Sequence, residues 1–398
     1  MISVLFVDDE PMLLSGLRRL LRPMRDEWQM NFAESADQAI GLLNSAPYDV
    51  VVSDIRMPGR SGVELLSEVA QRWPHTVRII LSGEADLDTA CRSVRVSHQF
   101  LSKPSDLDAL RTTITRACRL QSKITDPALA RFVGALEHLP CLPQVYEELV
   151  ALLNDSACSA EAVGEVINRD ISMAASVLRL VNSAYFSLPR LITHAGDAAR
   201  LLGFELIKTL VLGVGIFRQF EGRHALDAHV QSLCSHSVAV AARSREIAAH
   251  LGLSKADREL AAMAGMLHDV GELVLAANHP DVMLRMLATA GHDTPPLWQM
   301  EEQALGSSHM ETGAYLLGLW GLHDAVVESA AFHHVPSQIH EASRPDVVTA
   351  VHIANHFVTE TERPGSQLRS PLDHAYLDAV GTTALVARLR SEAAEQFH

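Results

Sequence analysis

The stretch Tyr48-Asp49-Val50-Val51-Val52-Ser53-Asp54 is a short apolar run that ends on a carboxylate. The Pro58-Gly59 pair that follows it is a turn signal, so the run is typical of a strand. Similar runs at residues 2–7, 78–82 and 100–103 alternate with helical patterns at residues 12–21, 62–69, 87–94 and 107–120. This alternation predicts βαβ units, and hence an α/β domain with a doubly wound parallel sheet over residues 1–120.

Polar side chains close all four predicted strands. In chain order they are Asp8-Asp9-Glu10, Asp54, Ser82 and Lys103. Because the carboxyl ends of parallel strands share one edge of the sheet, we expect these groups to meet where such folds bind ligands. Clustered carboxylates repel one another, and Mg²⁺ relieves that repulsion while it organises an incoming phosphoryl group. A lysine and a hydroxyl nearby would hold the remaining phosphoryl oxygens.

This arrangement resembles the receiver domain of two-component response regulators. The resemblance implies a five-stranded, flavodoxin-like sheet and a phosphoacceptor at Asp54, which a cognate histidine kinase phosphorylates. It implies Lys103 as the cation that binds the phosphoryl group. The implied Mg²⁺ ligands are Asp9, Asp54 and the main-chain carbonyl of Arg56, with Asp8 as a supporting acid.

The same resemblance implies a switch pair. The Ser82 hydroxyl would swing toward the phosphoryl group while the Phe100 ring turns inward. A buried aromatic in a strand needs no such role, so Phe100 as an ordinary core residue is an equal alternative. In this family Pro104 would follow a cis peptide bond.

The pattern changes after residue 120. Asp126-Pro127 interrupts it, which indicates a linker at residues 121–130. Beyond the linker, apolar residues recur at helical spacing, as in residues 145–153, 160–167, 172–182, 197–202, 205–220, 260–277, 311–319 and 347–358. We therefore predict an all-helical second domain at residues 131–335, with a helical extension at residues 336–398 packed on it.

Histidine is concentrated in this second half. Of the 20 histidines, 16 lie at or after His224. Adjacent His268 and Asp269 can face one metal ion, and histidines on other helices can complete a site in a bundle core. The run Ala264-Gly265-Met266-Leu267-His268-Asp269-Val270-Gly271-Glu272-Leu273 resembles the core motif of the HD superfamily of metal-dependent phosphohydrolases.

Other segments resemble the HDOD family, a relative of the HD hydrolases that is generally regarded as a signalling module without hydrolase activity. They are Leu139-Pro140-Cys141-Leu142-Pro143 and residues 177–186 and 199–208. The HD pattern implies a metal site of Fe, Mn or Zn. Its ligand positions correspond to His236, His268, Asp269, His309 and His333 or His334.

Two positions depart from the hydrolase pattern. Asn355 stands where a terminal aspartate ligand is usual, and a neutral amide binds a hard cation weakly and cannot act as a base. Glu272 replaces a lysine that would face a substrate phosphate. Two hypotheses follow. The first is a response regulator whose HDOD domain is a protein-interaction output; the alternative is a phosphorylation-regulated, metal-dependent phosphohydrolase.

Composition and sequence pattern argue against several other classes of protein. The formal net charge is −15 and no run is rich in Lys or Arg, which argues against a nucleic-acid partner. Asp8 and Asp9 interrupt the apolar start, so we expect no signal peptide. No stretch approaches the roughly 20 uncharged apolar residues of a membrane span, so we expect a cytoplasmic location. Five scattered cysteines without a C-x-x-C pair predict reduced thiols. The downstream partner stays open, as does dimerisation through the face that carries Phe100.

Overall fold

A computed structural model gives the architecture of most of the chain. It describes residues 1–82, 93, 96–103, 107–121, 131–134, 136, 139–154, 158–183, 188, 190–203, 206–207, 211, 218–219, 224–289, 294–339, 343–362 and 370–395. Most of the predicted helix at 87–94, the predicted cis peptide bond before Pro104 and most of the predicted helix at 205–220 lie outside the described residues.

The N-terminal domain is a parallel sheet with the strand order β2-β1-β3-β4-β5. The strands are β1 (Ile2–Val7), β2 (Trp28–Ala33), β3 (Val50–Asp54), β4 (Val77–Ser82) and β5 (Gln99–Ser102). The described helices are α1 (Pro11–Leu20), α2 (Ala36–Ser45), α3 (Gly62–Arg72) and α4 (Leu107–Gln121), and a 3₁₀ turn spans Arg22–Asp26. The predicted doubly wound, five-stranded sheet is confirmed, and its order reverses between β1 and β3.

Strand β2 and helix α2 are the elements that the sequence pattern did not single out. β2 lies at the edge of the sheet and pairs with β1 alone, from Ile2 opposite Trp28 to Val7 opposite Ala33. Only the two ends of β2 are buried, so its sequence lacks the continuous apolar run of the central strands. β3, by contrast, is buried at four consecutive positions and was easily predicted.

The second domain is built mainly of helices. They are α5 (Pro143–Asn154), α6 (Ala160–Ile167), α7 (Ile171–Val181), α8 (Ala195–Leu202), α9 (His224–His250), α10 (Lys255–Leu267), α11 (Val270–Asn278), α12 (Pro280–Thr289), α13 (Leu297–Leu305), α14 (His309–Leu319), α15 (Asp324–Phe332), α16 (Val347–Glu362), α17 (His374–Ala379) and α18 (Thr383–Glu395). The long helix α9 packs along α10 and α16, and α14 packs against α15.

The prediction of an all-helical domain needs one correction. Two short parallel strands, β6 (Pro140–Cys141) and β7 (Arg218–Gln219), pair with each other. Each is two residues long, and a periodicity of two cannot be recognised over so short a segment. A 3₁₀ turn at Pro336–Gln338 follows α15.

One stretch, Lys255–Asn278, is long and apolar enough to cross a membrane by length and composition. Within it, 89% of the most apolar window is buried inside the protein, as expected for a core helix. Asp269 and Glu272 lie within this stretch and interrupt its apolar residues.

The two domains contact each other through buried polar groups. Arg78 on β4 is 1% exposed, and its guanidinium donates to the carbonyl of Gly134 at 2.7 Å. The main-chain N–H of Arg78 donates to Nδ1 of His98 at 3.0 Å, which places the imidazole proton on Nε2, 3.0 Å from the same Gly134 carbonyl. Burial, and then the charge of Arg78, hold the pKa of His98 well below its usual range.

The segment after residue 336 packs on the helical domain. His352 on α16 approaches the carbonyl of His333 through Nδ1 at 2.7 Å, and its Nε2 accepts from the N–H of Asp373 at 2.9 Å. The hydroxyl groups of Thr349 and Tyr376 are 2.6 Å apart. These bonds attach the start of α17 to α16 and to the end of α15.

The neutral, buried His98 should make stability depend on pH. In the unfolded chain the imidazole has a pKa near 6.5 and becomes protonated at a pH at which the folded imidazole stays neutral. Protonation therefore stabilises the unfolded state, and stability falls as the pH drops below about 6.5. This residue should remove about 1 kcal/mol of unfolding free energy between pH 6.5 and 5.5. His98→Asn should flatten that slope. Urea titrations at several pH values, followed by Trp28 fluorescence, measure it.

The exposed His250 provides the matched control. His250→Asn should keep the wild-type pH slope. An unchanged slope in His98→Asn would contradict the assignment, whatever that variant's stability at pH 7.5.

Candidate functional site

The carboxyl edge of the sheet brings three predicted residues together. The Lys103 ammonium, directly after β5, lies 2.7 Å from Oδ1 of Asp54 and 2.6 Å from Oδ2 of Asp8. Asp54 ends β3 and Asp8 follows β1, so the parallel strand order alone places them side by side. The sequence analysis predicted this meeting point.

Main-chain groups orient the two carboxylates. The N–H of Arg56 donates to Oδ2 of Asp54 at 3.2 Å, and the N–H of Glu10 donates to Oδ1 of Asp8 at 3.0 Å. Asp9 is partly buried beside Asp8, and Arg56 is exposed. Each carboxylate thus has one oxygen held by the backbone and one held by Lys103.

Burial and ion pairing have opposite effects on the pKa values of Asp54 and Lys103. Burial raises the pKa of Asp54, and Lys103 counteracts that effect only in part. Burial opposes the charge on Lys103, but its hydrogen bonds to Asp54 and Asp8 outweigh that effect and raise the pKa of the ammonium group. A partly desolvated carboxylate beside a fixed cation is suited to accept a phosphoryl group, whose oxygens the cation can then bind.

The predicted switch pair is described only in part. Ser82 ends β4 opposite Ser102 of β5, and its side chain is outside the described part of the chain. Phe100 is 8% exposed and lines a small cavity between the domains, together with Arg179 and Trp320. The core and switch roles of Phe100 both remain compatible with that position.

A glycine allows the start of α3 to lie close to Asp54. A Cβ atom on Gly62 would lie 1.8 Å from the carbonyl oxygen of Asp54. The Ser61 side chain accepts from the Glu64 N–H, and the Glu64 side chain accepts from the Ser61 N–H, so a capping box begins α3 at this point. A side chain at residue 62 would therefore displace either the helix or the strand end.

The six predicted histidine and aspartate residues of the helical domain also converge. Asp269 lies at the centre: its Oδ1 is 3.2 Å from Nε2 of His333 and 3.6 Å from Nε2 of His309. Its Oδ2 is 3.0 Å from Nε2 of His268 and 3.8 Å from Nε2 of His236. His334 completes a group with Asp269, His309 and His333 in which all ligand atoms lie within 4.8 Å of one another. We call these six residues the histidine centre.

Hydrogen bonds at Nδ1 fix the orientation of two imidazoles of the histidine centre. Nδ1 of His268 lies 2.8 Å from the Gly265 carbonyl, and Nδ1 of His333 lies 3.1 Å from the Ser329 carbonyl. A carbonyl can only accept, so the network assigns the proton to Nδ1 and turns the Nε2 lone pair toward Asp269. Metal-binding histidines are oriented in this way in proteins.

Glu301 is the partner that the sequence analysis missed. It is fully buried on α13, and its Oε2 lies 2.7 Å from Nδ1 of His309 and accepts from the His309 N–H at 2.7 Å. Burial opposes a charge on His309, but Glu301 outweighs it and raises the pKa of that imidazole to about 10. In sequence, Glu301 stands beside Glu302 in a polar helix, where nothing marks it as buried.

The structure gives a reason for the glycine of the His-Asp-x-Gly motif, which is Gly271. A Cβ atom there would lie 1.9 Å from the carbonyl oxygen of His309. The backbones of α11 and α14 therefore touch at this point, which brings His309 within reach of Asp269.

The two departures from the hydrolase pattern have structural consequences. Oδ1 of Asn355 lies 2.9 Å from Nε2 of His236, and an amide oxygen only accepts, so this contact places a proton on the nitrogen that a metal would need. The Thr359 hydroxyl donates to the main-chain carbonyl of Asn355 at 2.7 Å and lies 3.2 Å from Oδ1. Glu272 is paired with His229 at 3.2 Å, and that imidazole outweighs burial and lowers the pKa of the carboxyl.

The inner atoms of the histidine centre fit a cation. Among the described residues, Nε2 of His268 and Oδ1 of Asp269 are buried without a hydrogen bond of acceptable geometry. The Nε2 atoms of His309 and His333 lie 3.4 Å apart, and both face Asp269. Without a metal ion, the raised pKa of His309 keeps a proton on its Nε2 between the two rings, and a metal ion bound there would displace that proton. Imidazole and carboxylate ligands suit Fe, Mn or Zn.

A cavity of about 40 Å³ opens beside this centre. Its lining includes Trp298, Glu272 and Asn355. That volume accommodates one or two water molecules and is far below the several hundred Å³ of a nucleotide-sized pocket.

Comparison with known proteins assigns each domain to a family. The family model of the response regulator receiver domain matches residues 4–115, and that of the HDOD domain matches residues 139–336. The fold thus defines a receiver domain joined to a helical module. The chain belongs to the response regulators in which a receiver domain is followed by an HDOD domain.

Individual relatives cover parts of the chain. The hydrogenase transcriptional regulatory protein HoxA of Cupriavidus necator is 40% identical over 121 residues, 30% of this chain and 24% of that protein. An uncharacterized protein of Treponema pallidum is 24% identical over 250 residues, 62% of this chain and 47% of that protein. The chain thus spans about a quarter to a half of the length of these curated relatives.

Among solved structures, the MmoQ response regulator of Methylococcus capsulatus aligns with a TM-score of 0.47 at 22% identity. The alignment covers 63% of this chain and 97% of that one.

The contact at Gly62 leads to a stability prediction. Gly62→Ala should lower the unfolding free energy of the receiver domain by about 1 to 3 kcal/mol, because the added methyl group overlaps the Asp54 carbonyl. Gly41→Ala is the matched control, since α2 has nothing within 4 Å of that position. It should raise stability by about 0.5 to 1 kcal/mol. Urea unfolding measures both, and equal effects would contradict the close contact.

Proposed function

We propose that phosphoryl transfer from a histidine kinase to Asp54 controls the HDOD domain, which acts as a protein-interaction output in the cytoplasm. The observation that supports this most is the placement of Lys103 between Asp54 and Asp8. The cation lies where it can leave one carboxylate oxygen and bind a phosphoryl oxygen instead. The net charge of −15 favours a protein partner, or a second copy of the chain, over nucleic acid.

The transfer balances as a displacement at phosphorus. An oxygen of the Asp54 carboxylate forms a P–O bond while the P–N bond of the kinase phosphohistidine breaks, and the imidazole nitrogen takes the electron pair. Asp8, Asp9, Asp54 and the main-chain carbonyl of Arg56 would hold Mg²⁺, which supplies charge neutralisation of the phosphoryl oxygens. Lys103 binds the oxygen that faces β5, and the Ser82 hydroxyl with Phe100 would carry the change to the surface.

Labelling tests the phosphoacceptor. Asp54→Asn should abolish incorporation of phosphoryl from acetyl phosphate or from the kinase, because the amide is not a nucleophile for this transfer. Asp37→Asn, an exposed carboxylate on α2, should label like the wild type. Intact-protein mass spectrometry reads the added phosphoryl group. An aspartyl phosphate that persists in Asp54→Asn would disprove the assignment.

A second function is favoured by the histidine centre. The facing Nε2 atoms of His309 and His333, with Asp269 beside both, support binding of one transition-metal ion. Metal-dependent phosphohydrolysis is the alternative activity of such a site. Asn355, Glu272 and the small cavity argue against turnover, so a structural or regulatory metal fits better than a catalytic one.

Element-resolved mass spectrometry of the untagged protein, purified without chelator, tests the metal. We expect about one equivalent of Fe, Mn or Zn per chain, lost when His268 and Asp269 are both changed to Ala. Glu301→Gln should weaken metal affinity about 10- to 100-fold, because the Gln amide orients His309 less well than a carboxylate. Glu302→Gln, exposed on the same helix, is the matched control. A folded, metal-free wild type would leave the centre as a structural cluster.

A further inference from the structure

Helices α14 and α15 form a hairpin whose two ends lie at different sites. His309 is the first residue of α14, and His333 directly follows α15. The four residues that join the helices, 320–323, therefore lie at the opposite end. At 1.5 Å per residue, this end is about 16 Å away from the histidine centre.

The receiver domain holds the closed end of this hairpin. The Gln99 side-chain amide on β5 donates to the carbonyl of Leu319, the last residue of α14, at 3.0 Å. Arg116 on α4 donates to the carbonyl of Leu322 and forms an ion pair at 2.8 Å with Asp324, the first residue of α15. Both helices are thus bound at their junction by side chains of the receiver.

The hairpin is well packed between its ends. Leu316 and Leu319 on α14, and Val326 and Ala330 on α15, are completely buried. Close-packed helices move as units, so a displacement at the closed end is passed to the open end. At the open end, the contact between His309 and His333 is made by one residue from each helix.

On the receiver side, the same strand leads to the phosphoacceptor. Gln99 begins β5, and Lys103, which contacts Asp54, comes directly after it. A phosphoryl group on Asp54 redirects Lys103 and so acts on β5. A continuous series of bonds and packed elements therefore runs from Asp54 through Lys103 and β5 to the hairpin.

We propose that the α14–α15 hairpin transmits the phosphorylation state of Asp54 to the histidine centre, with Gln99 and Arg116 as the coupling residues. This inference rests on the proposed phosphorylation of Asp54. It deepens that proposal by naming the route and the target: the separation of His309 from His333 at the other end of the molecule.

Two tryptophans report on the two ends. Trp320 lies in the junction, where the Arg179 guanidinium stacks on its ring at 4.5 Å, and Trp298 lines the cavity beside the histidine centre. The full chain is labelled with 5-fluorotryptophan, and its ¹⁹F spectrum is recorded with Mg²⁺ before and after addition of beryllofluoride, an aspartyl phosphate mimic. Fluoride bound at Asp54 appears in the same spectrum, so receiver loading is measured directly.

In the wild type, loading should shift both the Trp320 and the Trp298 signals. The double variant Gln99→Ala with Arg116→Ala should bind beryllofluoride equally but lose the Trp298 shift. Arg111→Ala, an exposed arginine on the same helix, is the matched control and should behave like the wild type. Asp324→Ala, whose side chain is 75% exposed, weakens the same junction without disturbing the core and should reduce the shift.

Two results would overturn the inference: bound fluoride with an unmoved Trp298 signal in the wild type, or an undiminished Trp298 shift in the double variant. Failure of the underlying proposal looks different. In that case no bound fluoride appears and no phosphoryl label forms on Asp54, and both proposals fall together.

Discussion

The parallel order of the receiver strands is the constraint on which the rest of the molecule depends. It forces the ends of β1, β3 and β5 onto one edge, so that Asp8, Asp54 and Lys103 must share a small volume. Three charges that close together are stable only as an ion-paired cluster, and this cluster ties β5 to Asp54. The other end of β5 carries Gln99, which binds α14, so a single strand contacts both the acidic edge and the helical domain.

The helical domain solves the opposite electrostatic problem. At the receiver edge a lysine neutralises carboxylates near solvent, whereas at the histidine centre one buried carboxylate is surrounded by imidazoles. Burial disfavours the charge on Asp269, but His268 and His333 outweigh it and hold the pKa of that carboxyl well below its usual range. Burial keeps the imidazole of His333 neutral, with a pKa near 4. A neutral imidazole beside an ionised carboxylate is the protonation state that a metal ion requires.

Local pattern allowed four strands of the sheet, the acidic edge and the His268-Asp269 pair to be predicted. The resemblance to the HD proteins supplied the other residues of the histidine centre. Apolar runs that end in Asp54 or Lys103, and the His268-Asp269 pair, can be recognised in a few adjacent residues. Strand β2 was not predicted, because an edge strand needs no continuous apolar run. The roles of Glu301 and of the Arg78–His98 contact were not predicted, because they depend on partners that are distant in sequence and meet only in the folded chain. The prediction for Ser82 concerns a side chain outside the described residues, and it stays a prediction.

The segment after residue 336 is part of the packing of the helical domain. The HDOD family match ends at residue 336, yet the Ser370 hydroxyl lies 3.1 Å from Nδ1 of His334, and His352 joins the His333 carbonyl to the N–H of Asp373. Both members of the His333-His334 pair thus depend on residues outside the family boundary. A fragment cut at that boundary would keep all six residues of the histidine centre. It would lose Ser370, which contacts the His334 imidazole, and His352, which binds the His333 main chain. The packing that supports this pair therefore extends to Asp373, beyond the end of the family match.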